Sequence, residues 1–203
     1  LANGHWLIPH LNKVPYLEKP PLLYWLLALS FKVFGFNAFA ARLIPSTATA
    51  LVALSWCYFA AKTTTPRVGW LTALILLSSL VFLIIGRVVF FDMLLTLWLG
   101  LSFMAFYLWY EQGQRSWLYL AYLSLTLAVL TKGFMALFLV PLIAATFLWL
   151  VKADKTLYRA ALNRNAIIVF LVVMLPWHFI AALAQPSFIW EYIINNQLLR
   201  FFN

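Results

Sequence analysis

Six long apolar runs constrain this chain more than any other feature. They cover roughly residues 42–61, 69–86, 90–110, 116–131, 134–151 and 166–184. A helix needs about 20 apolar residues to cross the hydrocarbon core of a bilayer. Hydrophobic residues make up 66% of the 203 residues and charged residues only 9%, whereas a soluble domain is about 25% charged. We therefore predict an all-α integral membrane protein, with a bundle of about six spans across residues 42–184.

Two counts exclude other classes. The single Cys57 rules out a disulfide framework within the chain and a cysteine-based metal site. The net charge of +9 is spread over the ends of the apolar runs and the short loops. This pattern favours membrane phosphates or an anionic lipid substrate over nucleic acid, which needs a continuous basic patch.

The segment 152–165 fixes the predicted orientation. It holds Lys152, Lys155, Arg159 and Arg164 against the single acid Asp154, and short loops this basic are cytoplasmic. The total numbers of basic residues on the two sides are equal, so the orientation depends on this loop. Alternation then places 62–67 and 111–115 on the cytoplasmic side, and 86–92, 132–133 and the residues after 184 outside.

Two predicted segments lie along the outer surface. Pro20 and Pro21 suit a helix start, because the missing N–H groups cost nothing there, and this helix ends near Gly35. At about 15 residues it is too short to span, and both its ends face outward. We predict an outer-surface loop and interfacial helix at 1–41. An outer-surface amphipathic segment at 185–203 is anchored by Trp190 and Tyr192.

Ionisable residues gather on the predicted outer face. A charged group in or beside a span is costly, so it suggests function. Simpler explanations also exist: Asp92 as a helix cap paired with Arg87, Lys132 as a snorkelling side chain, and Arg200 as the end of a surface helix. His178 fits a packed core position. The outer-face residues are Glu18, Lys19, Asp92, Lys132, Glu191 and Arg200.

Together these segments resemble the GT-C membrane glycosyltransferases. Within that group the chain is most similar to the lipid A aminoarabinose transferase and protein O-mannosyltransferase-like branch, over nearly its whole length. The segments, in order, are His5-Trp6-Leu7-Ile8-Pro9-His10, Tyr16-Leu17-Glu18-Lys19-Pro20-Pro21-Leu22 with Tyr24-Trp25, Phe91-Asp92-Met93-Leu94-Leu95-Thr96, Leu130-Thr131-Lys132-Gly133 and Leu198-Leu199-Arg200-Phe201.

The resemblance implies an enzyme of the plasma (inner) membrane with its active site facing outward, to the periplasm or the exterior. It would transfer a sugar from a polyprenyl-phosphate donor to a lipid, glycan or protein acceptor. The acceptor attacks the anomeric carbon and the lipid phosphate leaves. Such chemistry needs cations for the departing phosphate and an acid for the acceptor. The residues do not specify the sugar or the acceptor.

The resemblance also implies residue roles. Asp92 and Glu18 are the expected catalytic carboxylates. Glu18 and Asn195 are the expected ligands if a divalent metal ion binds, although Asn195-Asn196-Gln197 replaces the Glu or His of many relatives. The principal acid of the family falls upstream of Leu1, so we expect the fragment alone to be inactive. The residues expected to bind the lipid phosphate or substrate are Tyr16, Lys19, Lys132 and Arg200.

Two other classes stay open at this point. A transporter would place polar groups and broken helices near the bilayer midplane, whereas here many charged residues lie at one surface. A non-catalytic lipid-binding membrane subunit would keep the same fold without the transfer reaction. Sugar transfer by the full-length protein separates the enzyme from both.

Overall fold

The structure, a computed structural model, describes residues 6–11 and 14–199. Its described part is dominated by helices, which confirms the predicted all-α class. One short antiparallel ladder pairs β1 (His10–Leu11) with β2 (Val14–Pro15). The helices are α1 Leu22–Phe34, α2 Ala38–Thr63, α3 Pro66–Ser78, α4 Leu80–Ile85, α5 Asp92–Gln112, α6 Arg115–Lys132, α7 Met135–Leu150, α8 Lys155–Ala161 and α9 Arg164–Ala184, followed by a π-helix at Ile189–Leu198.

Local sequence signals set several helix starts. The Asn37 side chain accepts a hydrogen bond from the Ala40 amide at the start of α2. Thr65 caps α3, and Asp154 accepts from the Leu157 amide at the start of α8. Each cap satisfies an amide that has no partner inside its helix. Gly113 ends α5 in the left-handed conformation, with φ of 67°, which glycine adopts without steric cost.

Three helical segments in the described part are long and apolar enough to cross a membrane. They are Ala38–Thr63, Asp92–Gln112 and Lys155–Ala184. The other predicted runs also form helices, but these are shorter or less apolar, so the number of spans within 42–184 stays a prediction. Helix α1 has 13 residues, fewer than the roughly 20 residues that a span needs, and its place on the outer surface stays a prediction.

The predicted run 69–86 is not one continuous helix. It divides at Ser79, whose ψ of 118° is extended, into α3 and α4. The Ser78 hydroxyl donates to the Ile75 carbonyl, and serine side chains that bond to nearby backbone compete with helix continuation. The run therefore bends back toward α2, where the Ser46 hydroxyl donates to the Gly86 carbonyl at 3.3 Å.

Helix α6 lies at the centre of the bundle and contacts α5, α7 and α9, while α2 packs between α1, α3 and α5. Many large apolar side chains point outward; Trp70, Phe138 and Leu183 are about 70% exposed. Apolar surface on this scale is unusual for a soluble monomer. It is the surface expected of helices that face lipid.

One buried cluster holds the amino-terminal loop against the ends of α6 and α9. Ile8 and Leu17 pack there with Trp177 and Tyr192. Two indole N–H groups fix the loop further: Trp25 donates to the Trp6 carbonyl at 2.7 Å, and Trp177 donates to the Leu7 carbonyl at 2.8 Å. The segment before α1 is therefore an ordered part of the bundle end.

Candidate active site

An ion pair joins two of the predicted site residues. The Lys132 ammonium lies 2.6 Å from the Asp92 carboxylate. Asp92 is the first residue of α5 and Lys132 the last residue of α6. These two helices pack side by side and run in opposite directions, so residues forty apart in the chain meet at one end of the bundle. Their side chains are 50% and 33% exposed, which leaves both groups open to a ligand.

This pair replaces the simpler explanations of both residues. Phe91 occupies the cap position of α5, and no side chain caps that helix. Asp92 accepts a hydrogen bond from Lys132, so the alternative in which Asp92 pairs with Arg87 is wrong. Lys132 has a specific carboxylate partner, so snorkelling alone does not explain it either. The two motifs were predicted to share a face, and the structure brings them into direct contact.

The Glu18 segment forms a second polar group near this end. The Tyr16 hydroxyl donates to the Glu18 carboxylate at 3.1 Å. Leu17, which stands between these two residues in the sequence, is buried, and Pro20 and Pro21 are fully buried. This alternation fixes the backbone while Glu18 stays exposed and Lys19 half-buried. The segment thus presents one acid and one base from a rigid support.

Tyr24 lies between the two polar groups. Its ring meets the Tyr16 ring edge-on at 6.3 Å and the Phe91 ring at 5.5 Å, measured between centroids. Burial, together with nearby Tyr16 and Glu18, holds the pKa of Tyr24 above its usual 10.0. The hydroxyl therefore stays neutral at physiological pH. Tyr24 belongs to the same sequence motif as Tyr16 and Glu18, but a role for it follows only from these ring contacts.

A polar cleft of about 310 Å³ opens beside Glu18. Its other wall carries Glu191 and Asn196, together with Ser187 and Gln185. Asn196 donates to the Glu191 carbonyl at 2.8 Å. Glu191 and Asn196 thus join Glu18 here, and the sequence assigned neither of them a chemical role.

The cleft bears on the predicted metal ligands. Asn195 donates to the Glu191 carboxylate at 3.3 Å, whereas its neighbour Asn196 faces the cleft with Glu18. Within residues 6–11 and 14–199, no three His, Cys, Asp or Glu side chains come together in a way that could hold a metal ion. The carboxylates of Glu18 and Glu191 and the amide of Asn196 therefore supply at most part of the ligands of a cation site.

The π-helix at Ile189–Leu198 corrects one expectation. Trp190 is 56% exposed, as an interfacial anchor should be, but Tyr192 is fully buried. Its ring packs against Trp177 and Phe188, because these large rings offer an apolar site at the end of α9. His178 also lies here, and its Nδ1 is 2.8 Å from the Met174 carbonyl, which confirms it as a satisfied core residue.

One predicted phosphate ligand, Arg200, lies outside the described residues. Of the others, Tyr16 and Lys19 belong to the Glu18 segment and Lys132 to the ion pair. The structure thus gathers most of the predicted site at one end of the bundle.

Curated proteins that are similar to this chain in sequence are bacterial transferases. An undecaprenyl phosphate-alpha-4-amino-4-deoxy-L-arabinose arabinosyl transferase of Enterobacter sp. (strain 638) is 32% identical over 197 residues, which is 95% of this chain and 35% of that protein. The transferase of the same name from Yersinia enterocolitica serotype O:8 is 34% identical over 197 residues, again 95% of this chain and 35% of that protein. This chain therefore spans about a third of the length of these curated relatives.

A solved structure shows the same fold. The crystal structure of ArnT from Cupriavidus metallidurans bound to undecaprenyl phosphate superposes with a TM-score of 0.91 at 22% identity, covering 97% of this chain and 37% of that one. This likeness confirms the predicted GT-C-type bundle.

The apolar helices and these relatives make the chain an inner-membrane protein. A family model described as dolichyl-phosphate-mannose-protein mannosyltransferase matches residues 18–190, from the Glu18 segment to the π-helix. The predicted resemblance is thereby confirmed, and the chain belongs to the dolichyl-phosphate-mannose-protein mannosyltransferase family of membrane glycosyltransferases.

Proposed function

We propose that the full-length protein transfers a sugar from an undecaprenyl-phosphate donor to a lipid acceptor on the outer face of the inner membrane. The observation that carries this proposal is the Asp92–Lys132 pair at 2.6 Å, on the same bundle end as Glu18 and Lys19. A phosphate leaving group needs cations, and an attacking hydroxyl or phosphate oxygen needs an acid–base partner. One half-exposed bundle end supplies both kinds of group.

The reaction breaks the bond between the anomeric carbon and the donor phosphate oxygen. The electron pair leaves with the undecaprenyl phosphate, and an acceptor oxygen forms the new bond to the anomeric carbon. Lys132 and Lys19 offset the charge of the departing phosphate. Any proton on the acceptor oxygen passes to a carboxylate at the site, and Glu18, held by Tyr16, is the described candidate.

Asp92 also suits an amino sugar. The curated relatives are named for 4-amino-4-deoxy-L-arabinose, whose amine is cationic at neutral pH. A half-exposed carboxylate is the side chain that forms a charge-assisted hydrogen bond with such an amine. We infer that Asp92 contacts this amine when the donor binds, with Lys132 holding the carboxylate in place.

Transfer by the full-length protein in proteoliposomes tests the proposal. The donors are undecaprenyl-phosphate-linked aminoarabinose and a neutral pentose analogue, and lipid A is the acceptor, with product detected by its added mass. We expect transfer of aminoarabinose and at least about tenfold less of the neutral sugar, since one charge-assisted hydrogen bond is worth about 1.5–3 kcal/mol. Export of the donor without a glycosylated product would favour a transporter, and binding without transfer a non-catalytic subunit.

The outward orientation needs its own measurement. In a background where Cys57 and any other cysteine of the full-length protein are replaced by Ser, Phe36→Cys places a thiol at the predicted outer end, where Phe36 is 87% exposed, and Gln114→Cys places one at the opposite end. A membrane-impermeant maleimide should label Phe36→Cys in intact cells and Gln114→Cys only after permeabilisation. The reverse pattern would contradict the orientation.

A further inference from the structure

An apolar recess lies toward the bundle end opposite the Asp92–Lys132 pair. Its volume is about 270 Å³, and helices α5, α6, α7 and α8 line it. Phe106 and Leu148 contribute from α5 and α7, and Tyr158 and Leu162 close it from the α8 segment. Along α5, Ser102 and Phe106 of the recess lie 10 and 14 residues beyond Asp92, which is about 15 and 21 Å at about 1.5 Å per residue. The recess is therefore distinct from the candidate active site.

Small side chains create this recess. Ser102, Ala121 and Ala144 line it from three neighbouring helices. The Ser102 hydroxyl donates to the Ala121 carbonyl at 2.9 Å, so this polar group in the wall already has a hydrogen-bond partner. Pro141 stands inside α7, where it removes a backbone hydrogen bond and opens the helix. Pro141 and Ala145 are exposed, so the recess opens at the surface of the described helices.

Helix α8 forms the rim and is fixed to the bundle. The Tyr122 hydroxyl donates to the Ala161 carbonyl at 3.0 Å, and Leu157 packs with Ala161 against the buried cluster around Trp109. The same segment turns Tyr158 and Leu162 toward the recess. An apolar chain in the recess would therefore emerge beside α8.

The rim is strongly basic. Lys152, Lys155, Arg159 and Arg164 are all exposed. The one acid among them, Asp154, accepts hydrogen bonds from the Leu157 amide and the Thr156 hydroxyl, and these bonds lower the pKa of its carboxyl group. Asp154 is thus committed to capping α8, and it offsets only one of the four positive charges.

We propose that this recess binds one acyl chain of an anionic phospholipid, whose headgroup phosphate lies on Lys155 and Arg159. The apolar wall accommodates the chain because it offers close van der Waals contact along the chain, and the arginine fork matches phosphate oxygens. Basic pockets at helix ends are typical sites for anionic headgroups. The lipid belongs to the leaflet opposite the candidate active site, so it is not the sugar donor, and the proposal holds whether or not the transfer reaction does.

Photolabelling of the full-length protein in nanodiscs tests the site. The probes are phosphatidylglycerol and phosphatidylcholine that carry the same diazirine-bearing acyl chain, and labelled peptides are mapped by mass spectrometry. We expect phosphatidylglycerol to label the α7 stretch 140–148 several-fold more than phosphatidylcholine does. Equal labelling by the two probes, or no labelling of this stretch, would overturn the proposal.

Variants separate the headgroup from the chain. Arg159→Gln should reduce phosphatidylglycerol labelling about fivefold, because one basic residue contributes about 1 kcal/mol near an anionic surface. Arg67→Gln, exposed at the same bundle end on α3, should leave it unchanged. Ala145→Phe should fill the recess and abolish labelling of 140–148 by both probes. If Ala145→Phe does not fold, equal effects of Arg159→Gln and Arg67→Gln still refute the site.

Discussion

The Tyr24 ring meets the Phe91 ring edge-on, with the two centroids 5.5 Å apart. Phe91 immediately precedes Asp92, and Tyr24 also contacts Tyr16, which bonds to Glu18. Two aromatic contacts through Tyr24, on α1, therefore join the segment before α1 to the start of α5. The relative position of the two carboxylates depends on packed rings rather than on a direct bond between them.

Removal of the Asp92 carboxylate should abolish most sugar transfer. We expect Asp92→Asn, which keeps the size of the side chain, to lower kcat/KM about 100-fold or more, the scale typical of a lost acid–base or charge contact. Glu111→Gln is the matched control, since Glu111 is an exposed acid at the other end of the same helix. The measurement is transfer to lipid A by the full-length protein. Similar rates for the two variants would remove Asp92 from the site.

Lys132 should matter for activity far more than for stability. The pair is about a third to a half exposed, and ion pairs of that kind contribute about 1 kcal/mol or less. We therefore expect Lys132→Met to shift the free energy of unfolding by less than about 1 kcal/mol, while transfer falls at least about tenfold because phosphate loses a cation. Thermal unfolding and transfer are measured on the same sample. A large loss of stability with full residual activity would make the pair structural.

Ring contact and hydroxyl at Tyr24 have separable roles. Tyr24→Phe keeps the edge-on contact with Phe91, so we expect transfer to stay within about threefold of wild type. Tyr24→Leu removes an aromatic pair worth about 0.5–1.5 kcal/mol and should lower kcat more than it changes KM. Because the pKa of Tyr24 is raised above 10.0, the pH dependence of transfer below pH 9 should be the same in Tyr24→Phe and wild type. A basic limb that disappears in Tyr24→Phe would contradict this.

The sequence predicted the fold class and the shared face of the site because both follow from local patterns. Apolar length predicts helices, and charge at their ends indicates a surface. The partner of Asp92 did not follow from such a pattern. Arg87 is near in sequence, but Lys132 lies on the adjacent antiparallel helix, and only the packing of α5 on α6 selects it. The break at Ser79 and the burial of Tyr192 likewise depend on contacts between distant segments.

Gly69 should be required for the close packing of α2 and α3. A Cβ atom at this position would lie 2.6 Å from the Cys57 carbonyl oxygen and 2.7 Å from the Ala61 Cβ, and backbone atoms cannot move aside. Gly69→Ala should therefore destabilise the protein by about 1–3 kcal/mol. Gly100→Ala is the control, because its Cβ would meet only the Trp56 indole nitrogen and Met104 at ordinary distances. Thermal unfolding in detergent should show a loss for Gly69→Ala and little change or a gain for Gly100→Ala.

Burial of Tyr192 predicts a loss of stability at high pH. Its pKa is raised above 10.0 by burial, whereas in the unfolded chain the phenol ionises near 10. Below pH 10 both states are neutral, so the contribution of Tyr192 to folding is fully present. As the pH rises further, the unfolded state loses the proton first and is favoured.

Tyr192→Phe removes this ionisation. Its melting temperature should fall less steeply than that of wild type between pH 10 and 11.5. At pH 7 it should differ by about 1 kcal/mol or less, since the hydroxyl makes only a 3.4 Å contact with His178. Tyr119→Phe, at a half-exposed position on α6, is the comparison. Parallel pH curves for wild type and Tyr192→Phe would show that the phenol is accessible to water, and hence that the π-helix does not stay packed on Trp177.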